Sequence, residues 1–135
     1  MEAAMANQRT SEMTYSRTYD TVAFDVRDDA VMLFFAVTTT RGDIEDYLLL
    51  MRTESNGPDS ALYLEINEQQ FAGQDIIKAA HCTDNMLTLE LAEPAAALNG
   101  AEGIVLTFTQ TQENRVAFAR GIIDVLGDTL TGAHA

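Results

Sequence analysis

Apolar and polar residues alternate along much of this sequence, and a period of two requires β-strands. The run Leu62–Ile66 is the clearest case, because its Leu and Ile side chains fall on one face of a strand while Tyr63 and Glu65 fall on the other. Asn67 continues the row formed by Tyr63 and Glu65. The pattern predicts one face packed against a core and a polar row along the opposite face.

Other segments carry strand patterns, and turn residues separate them. They are Tyr19–Arg27, Val31–Thr38, Tyr47–Arg52, the hairpin Ile76–His81 with Met86–Leu91, and Ile104–Phe108. Short turns join the first three, which predicts an antiparallel meander. Val31–Thr38 is almost entirely apolar or β-branched, so we expect a strand covered on both faces or nearly so.

After these strands the apolar period changes to about 3.6, which is typical of a helix with one face against a core. A broad apolar stripe contains Val116, Phe118, Ala119, Ile122, Ile123, Val125 and Leu126. We expect a helix over Thr111–Leu126, with Ile123 against the sheet and Gly121 on the exposed side. An Ile123→Asp substitution is therefore expected to bury an unpaired charge.

Strands followed by one helix predict an α+β fold: a mostly antiparallel β-sheet of six to seven strands with one C-terminal helix packed on one face. A length of 135 residues suits one hydrophobic core. We expect residues 1–18 to form a loosely ordered N-terminal lead, with room for an extra strand at its end. Residues 19–127 would form a single domain, and residues 128–135 a tail.

No apolar run approaches the roughly 18 residues that cross a bilayer, and Met1–Arg17 lacks the continuous apolar segment of a secretory signal. The sequence therefore predicts a cytoplasmic protein that makes no membrane contact. Cys82 is the single cysteine and cannot form an internal disulfide, which agrees with a reducing compartment.

The formal net charge is −13, which disfavours nucleic acid as a partner because phosphate binding requires clustered Lys and Arg. The imbalance is local: between Thr53 and Asn114 the only basic residue is Lys78, against ten acidic residues. A cationic partner fits this stretch better. The alternative is a solvated acidic surface that serves only solubility.

Catalytic signatures are absent from the sequence. His81 and Cys82 are neighbours in a strand, so their side chains point to opposite faces and cannot share a proton. The chain lacks the Cys and His set of a zinc site, a Gly-rich phosphate loop and a nucleophile elbow. We therefore predict a non-catalytic protein without metal or cofactor. A hydrolase using Glu65 or Glu68 is the remaining enzymatic alternative.

The polar row beside the central strand is the candidate site. We expect partner-binding residues at Tyr63, Glu65, Asn67, Glu68 and Gln69. A tyrosine supplies rigid contact area, while carboxylates and amides select a basic partner. Two alternatives stay open: polar packing within the sheet, and a small adaptor or polar-ligand-binding domain whose pocket this row lines.

At these residues the sequence resembles the bacterial immunity protein 10 family. The resemblance is carried by Tyr63-Leu64-Glu65-Ile66-Asn67-Glu68-Gln69, by Gly73 and Ile77, by Leu87-Thr88-Leu89-Glu90-Leu91, and by Tyr47-Leu48-Leu49-Leu50-Met51-Arg52. It extends over roughly residues 24–126. The resemblance implies an α+β protein that binds and neutralises a cognate toxin encoded beside it. The expected partner is that toxin, a basic protein; a homodimer stays open.

Overall fold

The computed structural model describes residues 14–27, 29–53, 62–67, 71–83 and 85–130. Within these ranges the chain forms nine strands in two sheets and one α-helix. The elements are β1 (Thr14–Tyr19), β2 (Thr21–Arg27), β3 (Ala30–Thr38), β4 (Ile44–Thr53), β5 (Leu62–Ile66), β6 (Phe71–Gln74), β7 (Ile77–Cys82), β8 (Met86–Ala95), β9 (Ala101–Phe108) and α1 (Gln112–Gly121). Single helical turns cover Ala96–Leu98 and Gly127–Thr129. The predicted α+β class is confirmed, although the strands are divided between two sheets.

The larger sheet has five strands in the order β2-β3-β4-β5-β6, and all of its pairings are antiparallel. The meander predicted for its first three strands is confirmed. Leu33 pairs with Leu50, and Leu50 pairs with Leu64, so these three fully buried side chains share one face. That face lies against the core, and we call it the inner face.

The smaller sheet has the order β1-β9-β8-β7. The predicted hairpin forms β7 and β8, which are antiparallel. The extra strand allowed for at the end of the N-terminal lead is present as β1, and it pairs with β9 in parallel. Because Thr14 pairs with Gly103, the pairing joins distant parts of the chain.

One hydrophobic core joins the two sheets and the helix. Its centre contains aromatic rings from each layer: Phe35 on β3 lies 5.8 Å from Tyr19, 6.4 Å from Phe108 and 6.2 Å from Phe118, measured between ring centroids. Phe108 and Phe118 are themselves 4.6 Å apart. Such ring pairs stabilise a core beyond the area that they bury.

The helix begins where the sequence predicts it, but a different side faces the sheet. The α-helical part ends at Gly121 and continues as a π-helical turn, Ile122–Leu126. Ile123 is 60% exposed and Val116 is 53% exposed, so the prediction that Ile123 packs on the sheet is wrong. The buried side consists of Asn114, Phe118, Gly121, Ile122, Val125 and Leu126.

A buried amide explains this rotation. The Oδ1 atom of Asn114 accepts a hydrogen bond from the backbone N–H of Val22 at 2.9 Å. Its Nδ2 group donates to the carbonyl oxygens of Asp20 and Thr109 at 2.9 and 2.8 Å. A polar residue therefore faces the sheet because three backbone groups satisfy it.

Gly121 is buried rather than exposed, which also corrects the sequence expectation. A Cβ atom at this position would lie 2.4 Å from Cδ1 and 2.9 Å from Cγ of Leu33. The absence of a side chain therefore allows the helix to approach β3 closely.

The helix in the described part of the chain is too short to span a membrane.

Candidate partner-binding face

The opposite face of the five-stranded sheet is not covered by the helix or the smaller sheet. The pairing register places two rows of side chains across it, Phe34–Leu49–Glu65 and Met32–Met51–Tyr63. We call this the outer face, and it consists of Met32, Phe34, Tyr47, Leu49, Met51, Tyr63 and Glu65. All seven side chains are half-buried. Every residue of Val31–Thr38 is buried or half-buried, which agrees with the expectation of a strand covered on both faces or nearly so; Met32 and Phe34 are its half-buried side chains on the outer face.

Glu65 lies among apolar side chains on this face, and two tyrosines hold its carboxylate. The hydroxyl of Tyr63 donates to Oε1 at 2.7 Å, and the hydroxyl of Tyr47 donates to Oε2. The hydrogen bond from Tyr47, followed by that from Tyr63, holds the pKa of Glu65 below its ordinary value. Glu65 is thus ionised at neutral pH and is a poor proton donor.

The hydrogen bond between Tyr63 and Glu65 also changes the acidity of the Tyr63 hydroxyl. The hydrogen bond to Glu65 is the largest cause, and desolvation the second, of a rise in the pKa of Tyr63 to about 12. A phenol with so high a pKa stays protonated at neutral pH. Tyr63 and Glu65, both predicted site residues, are therefore brought together as a neutral donor and a charged acceptor.

Asn67 has a structural role in the sheet. It follows β5 with a φ of 48°, a conformation that Asn tolerates better than most residues. Its Oδ1 accepts from the backbone N–H of Tyr47 at 2.7 Å, and its own N–H donates to the Tyr47 carbonyl at 3.3 Å. These bonds fasten the end of β5 to β4. The predicted site residues Glu68 and Gln69 lie outside the described residues.

A β-bulge in β4 shapes one end of the outer face. Val37 pairs with Asp46 and Thr38 with Ile44, which leaves Glu45 as the extra residue. Next to it opens a cavity of about 610 Å³, whose described lining residues are Phe34, Ile44, Glu45, Tyr47 and Asn67. At the bulge, Ile44 and Glu45 line this cavity together with Phe34 and Tyr47, and we include both as the edge of the outer face.

A second, smaller cavity lies at the β2 side of the outer face. Its volume is about 320 Å³, and it is lined by Ala23, Asp25, Arg27, Met32, Phe34 and Leu49. Arg27 donates from Nε to Asp25 at 2.9 Å, so this cation is paired within the chain.

Tyr47, Phe34 and their apolar neighbours were not predicted as parts of the site. The signal was present, because Tyr47 and Leu49 alternate with buried Leu48 and Leu50 in the same way as Tyr63 and Glu65 alternate with their neighbours. The register between strands was the missing information, since it decides which rows lie side by side.

Cys82 is buried and His81 is half-buried, and the His81 ring lies 2.8 Å from the carboxylate of Glu90. In the described part of the chain, no three His, Cys, Asp or Glu side chains could hold a metal ion. The outer face offers apolar contact area and a fixed negative charge, which suits binding. Comparison with protein-family models and with curated protein sequences finds no match to this chain.

Proposed function

We propose that this chain is a non-catalytic immunity protein that binds a cognate bacterial toxin through the outer face and thereby blocks it. The observation that carries the proposal is the composition of that face. Six half-buried apolar or aromatic side chains share this face with Glu65, whose carboxylate accepts hydrogen bonds from two of them, Tyr47 and Tyr63. Aromatic and methionine side chains are enriched at the centre of protein interfaces, and a carboxylate among them selects a partner of opposite charge.

The charge of the chain supports a basic partner. A net charge of −13 attracts a cationic protein over several ångströms and increases the rate of encounter. If the toxin is a nuclease, its active surface is basic because it holds phosphates. Carboxylates such as Glu45 and Glu65 would then occupy the positions of phosphates. The sequence resemblance to the immunity protein 10 family points to the same class of partner.

The proposal places the protein in the cytoplasm of the bacterium that carries the toxin gene. There it would bind the toxin as a rigid partner, without chemistry of its own. The five-stranded sheet supplies that rigidity, because each outer-face strand is hydrogen-bonded on both sides. A preformed surface loses little conformational entropy on binding.

Co-expression with the toxin encoded beside the gene tests the proposal. Cells that carry the wild-type chain should survive toxin induction, whereas cells that carry Glu65→Lys or Glu45→Lys should not. Glu102→Lys is the matched control: it makes the same change in net charge at an exposed position of β9. Because Glu45 is exposed, its substitution should leave folding intact, which circular dichroism checks. Equal survival with all three variants would reject the outer face as the interface.

A polar-ligand-binding domain is the second candidate, and the cavity beside Glu45 favours it. Its volume of about 610 Å³ falls within the usual range of ligand sites, about 300–1,000 Å³. A metabolite screen by thermal shift separates the two functions. A saturable shift that Glu45→Gln abolishes, together with no protection from the toxin, would favour the ligand.

A further inference from the structure

The cavity beside Glu45 has an aromatic wall. The rings of Phe34 and Tyr47 lie 5.4 Å apart between centroids and are tilted by 30°. Ile44 stands at the cavity with 54% of its surface exposed. A cavity lined by two aromatic side chains and an aliphatic one favours a flat or extended group with some apolar character.

The charges around this cavity are negative. None of its five described lining residues is basic. Glu45 is exposed, and among the described residues it forms no ion pair; Glu65 lies close by, at the Tyr47 hydroxyl. Two nearby arginines pair with other carboxylates, Arg17 with Asp46 at 3.0 Å and Arg27 with Asp25 at 2.9 Å. Arg41, in the turn before Ile44, is exposed and is not among the described lining residues of the cavity.

Another groove of the same molecule contains a cation placed over an aromatic ring. In the groove between α1 and β2, the guanidinium carbon of Arg120 lies 5.0 Å from the centre of the Phe24 ring. That groove thus contains its own cation over an aromatic face. The cavity beside Glu45 has two rings and a carboxylate, but its described lining supplies no cation.

Other occupants fit less well. An anion would meet the charges of Glu45 and Glu65. A second copy of this chain would bring another net charge of −13 against the same acidic face, and like charges across an interface are unfavourable.

We infer that the cavity lined by Phe34, Ile44, Glu45 and Tyr47 binds an arginine or lysine side chain of a basic partner protein. The cation would lie against the aromatic rings and pair with Glu45, while its aliphatic stem contacts Ile44. The inference rests on the proposed function for the identity of that partner, but the binding chemistry belongs to the cavity itself. Glu45 and Phe34 are therefore specificity-determining residues of the outer face.

Titration with a short peptide tests the cavity without the toxin. The probes are acetyl-Gly-Arg-Gly-amide and its citrulline counterpart, which keeps the shape but lacks the charge. Backbone amide NMR signals of Phe34, Ile44 and Glu45 should shift with the arginine peptide and stay in place with citrulline. Glu45→Gln should raise the Kd about threefold or more, and less so at high salt because screening weakens the ion pair. Glu93→Gln, an exposed acid in the cavity near Phe71, is the matched control and should leave the Kd unchanged.

The outcomes separate this inference from the proposed function. Equal shifts with the citrulline peptide, or an unchanged Kd in Glu45→Gln, would overturn the cation site. Protection from the toxin without any arginine-specific shift would retain the function and reject the cation site. Arginine-specific shifts without protection would retain the site and reject the toxin as the partner.

Discussion

Glu65 illustrates how one residue serves both the sheet and its surface. A carboxylate among apolar neighbours is costly unless hydrogen bonds satisfy it, and Tyr47 and Tyr63 supply those bonds. The two phenols keep the charge in place without neutralising it. Structural packing and recognition, which the sequence leaves as alternatives, are therefore compatible at this residue.

The titration of Tyr63 tests this arrangement. Its folded-state pKa, about 12, lies above the ordinary value of 10.0, so the neutral phenol stabilises the fold below pH 10.0. That contribution is lost as the pH rises through about 12. Because burial also raises the pKa of Tyr19 and of Tyr15, the contribution of Tyr63 is the difference in ultraviolet phenolate absorbance between the wild-type chain and Tyr63→Phe. In that difference the transition should lie near 12, and Glu65→Leu should move it toward 10.0. A Tyr63 transition that Glu65→Leu does not move would contradict the tyrosine–glutamate contact.

Gly121 provides a second test at the residue scale. Helix propensity alone predicts that Gly121→Ala stabilises the protein by about 1 kcal/mol. We expect a loss of about 1–3 kcal/mol instead, because the new Cβ would overlap the buried Leu33 side chain. Urea unfolding measures the change.

A double-mutant cycle identifies the cause. Leu33→Ala should cost less in the Gly121→Ala background than in the wild-type protein, since the smaller side chain relieves the overlap. Stabilisation by Gly121→Ala would show that the helix does not approach β3 as closely as described.

At the scale of elements, the C-terminal helix shows which face packs on the sheet. Val125 is fully buried, whereas Ile123 is 60% exposed. Val125→Asp should therefore cost about 4 kcal/mol or more, because it buries an unpaired charge. Ile123→Asp should stay within about 0.5 kcal/mol of the wild-type stability. Thermal unfolding of the two variants checks the orientation, and the reverse order of stability would overturn it.

Seven of the nine described strands could be predicted because their signal is local, whereas β6 (Phe71–Gln74) was not predicted and β1 was only allowed for. Alternation in Leu62–Ile66 places Tyr63 and Glu65 on one face regardless of what the rest of the chain does. The side of the helix that faces the sheet could not be predicted from such a local pattern of apolar residues. It depends on Asn114, a polar residue facing the sheet, and on Gly121, and neither adds to an apolar stripe.

The candidate site was predictable only along its own strand. Phe34 and Tyr47 join it through cross-strand register, and Glu45 joins it through a bulge. A bulge is an extra residue in one strand, and the pattern of alternation does not mark where it occurs.

At the scale of the whole molecule, the two sheets enclose one core. The parallel pairing of β1 with β9 places the N-terminal strand in the smaller sheet. Such a pairing between residues far apart in sequence leaves no local signal, so the division into two sheets could not be predicted. As a result, the core lies against the inner face of the larger sheet, and among the described elements neither the helix nor the smaller sheet covers the outer face.

Isothermal titration calorimetry of the purified chain with the toxic domain encoded beside its gene measures whether the outer face binds the toxin. The wild-type chain and Glu102→Lys should bind an equimolar amount of toxin with similar affinity. Glu45→Lys and Glu65→Lys should bind at least about tenfold more weakly, a loss of about 1.4 kcal/mol. Undiminished binding by both outer-face variants, or a loss confined to Glu102→Lys, would contradict the assignment of the outer face as the toxin-binding surface.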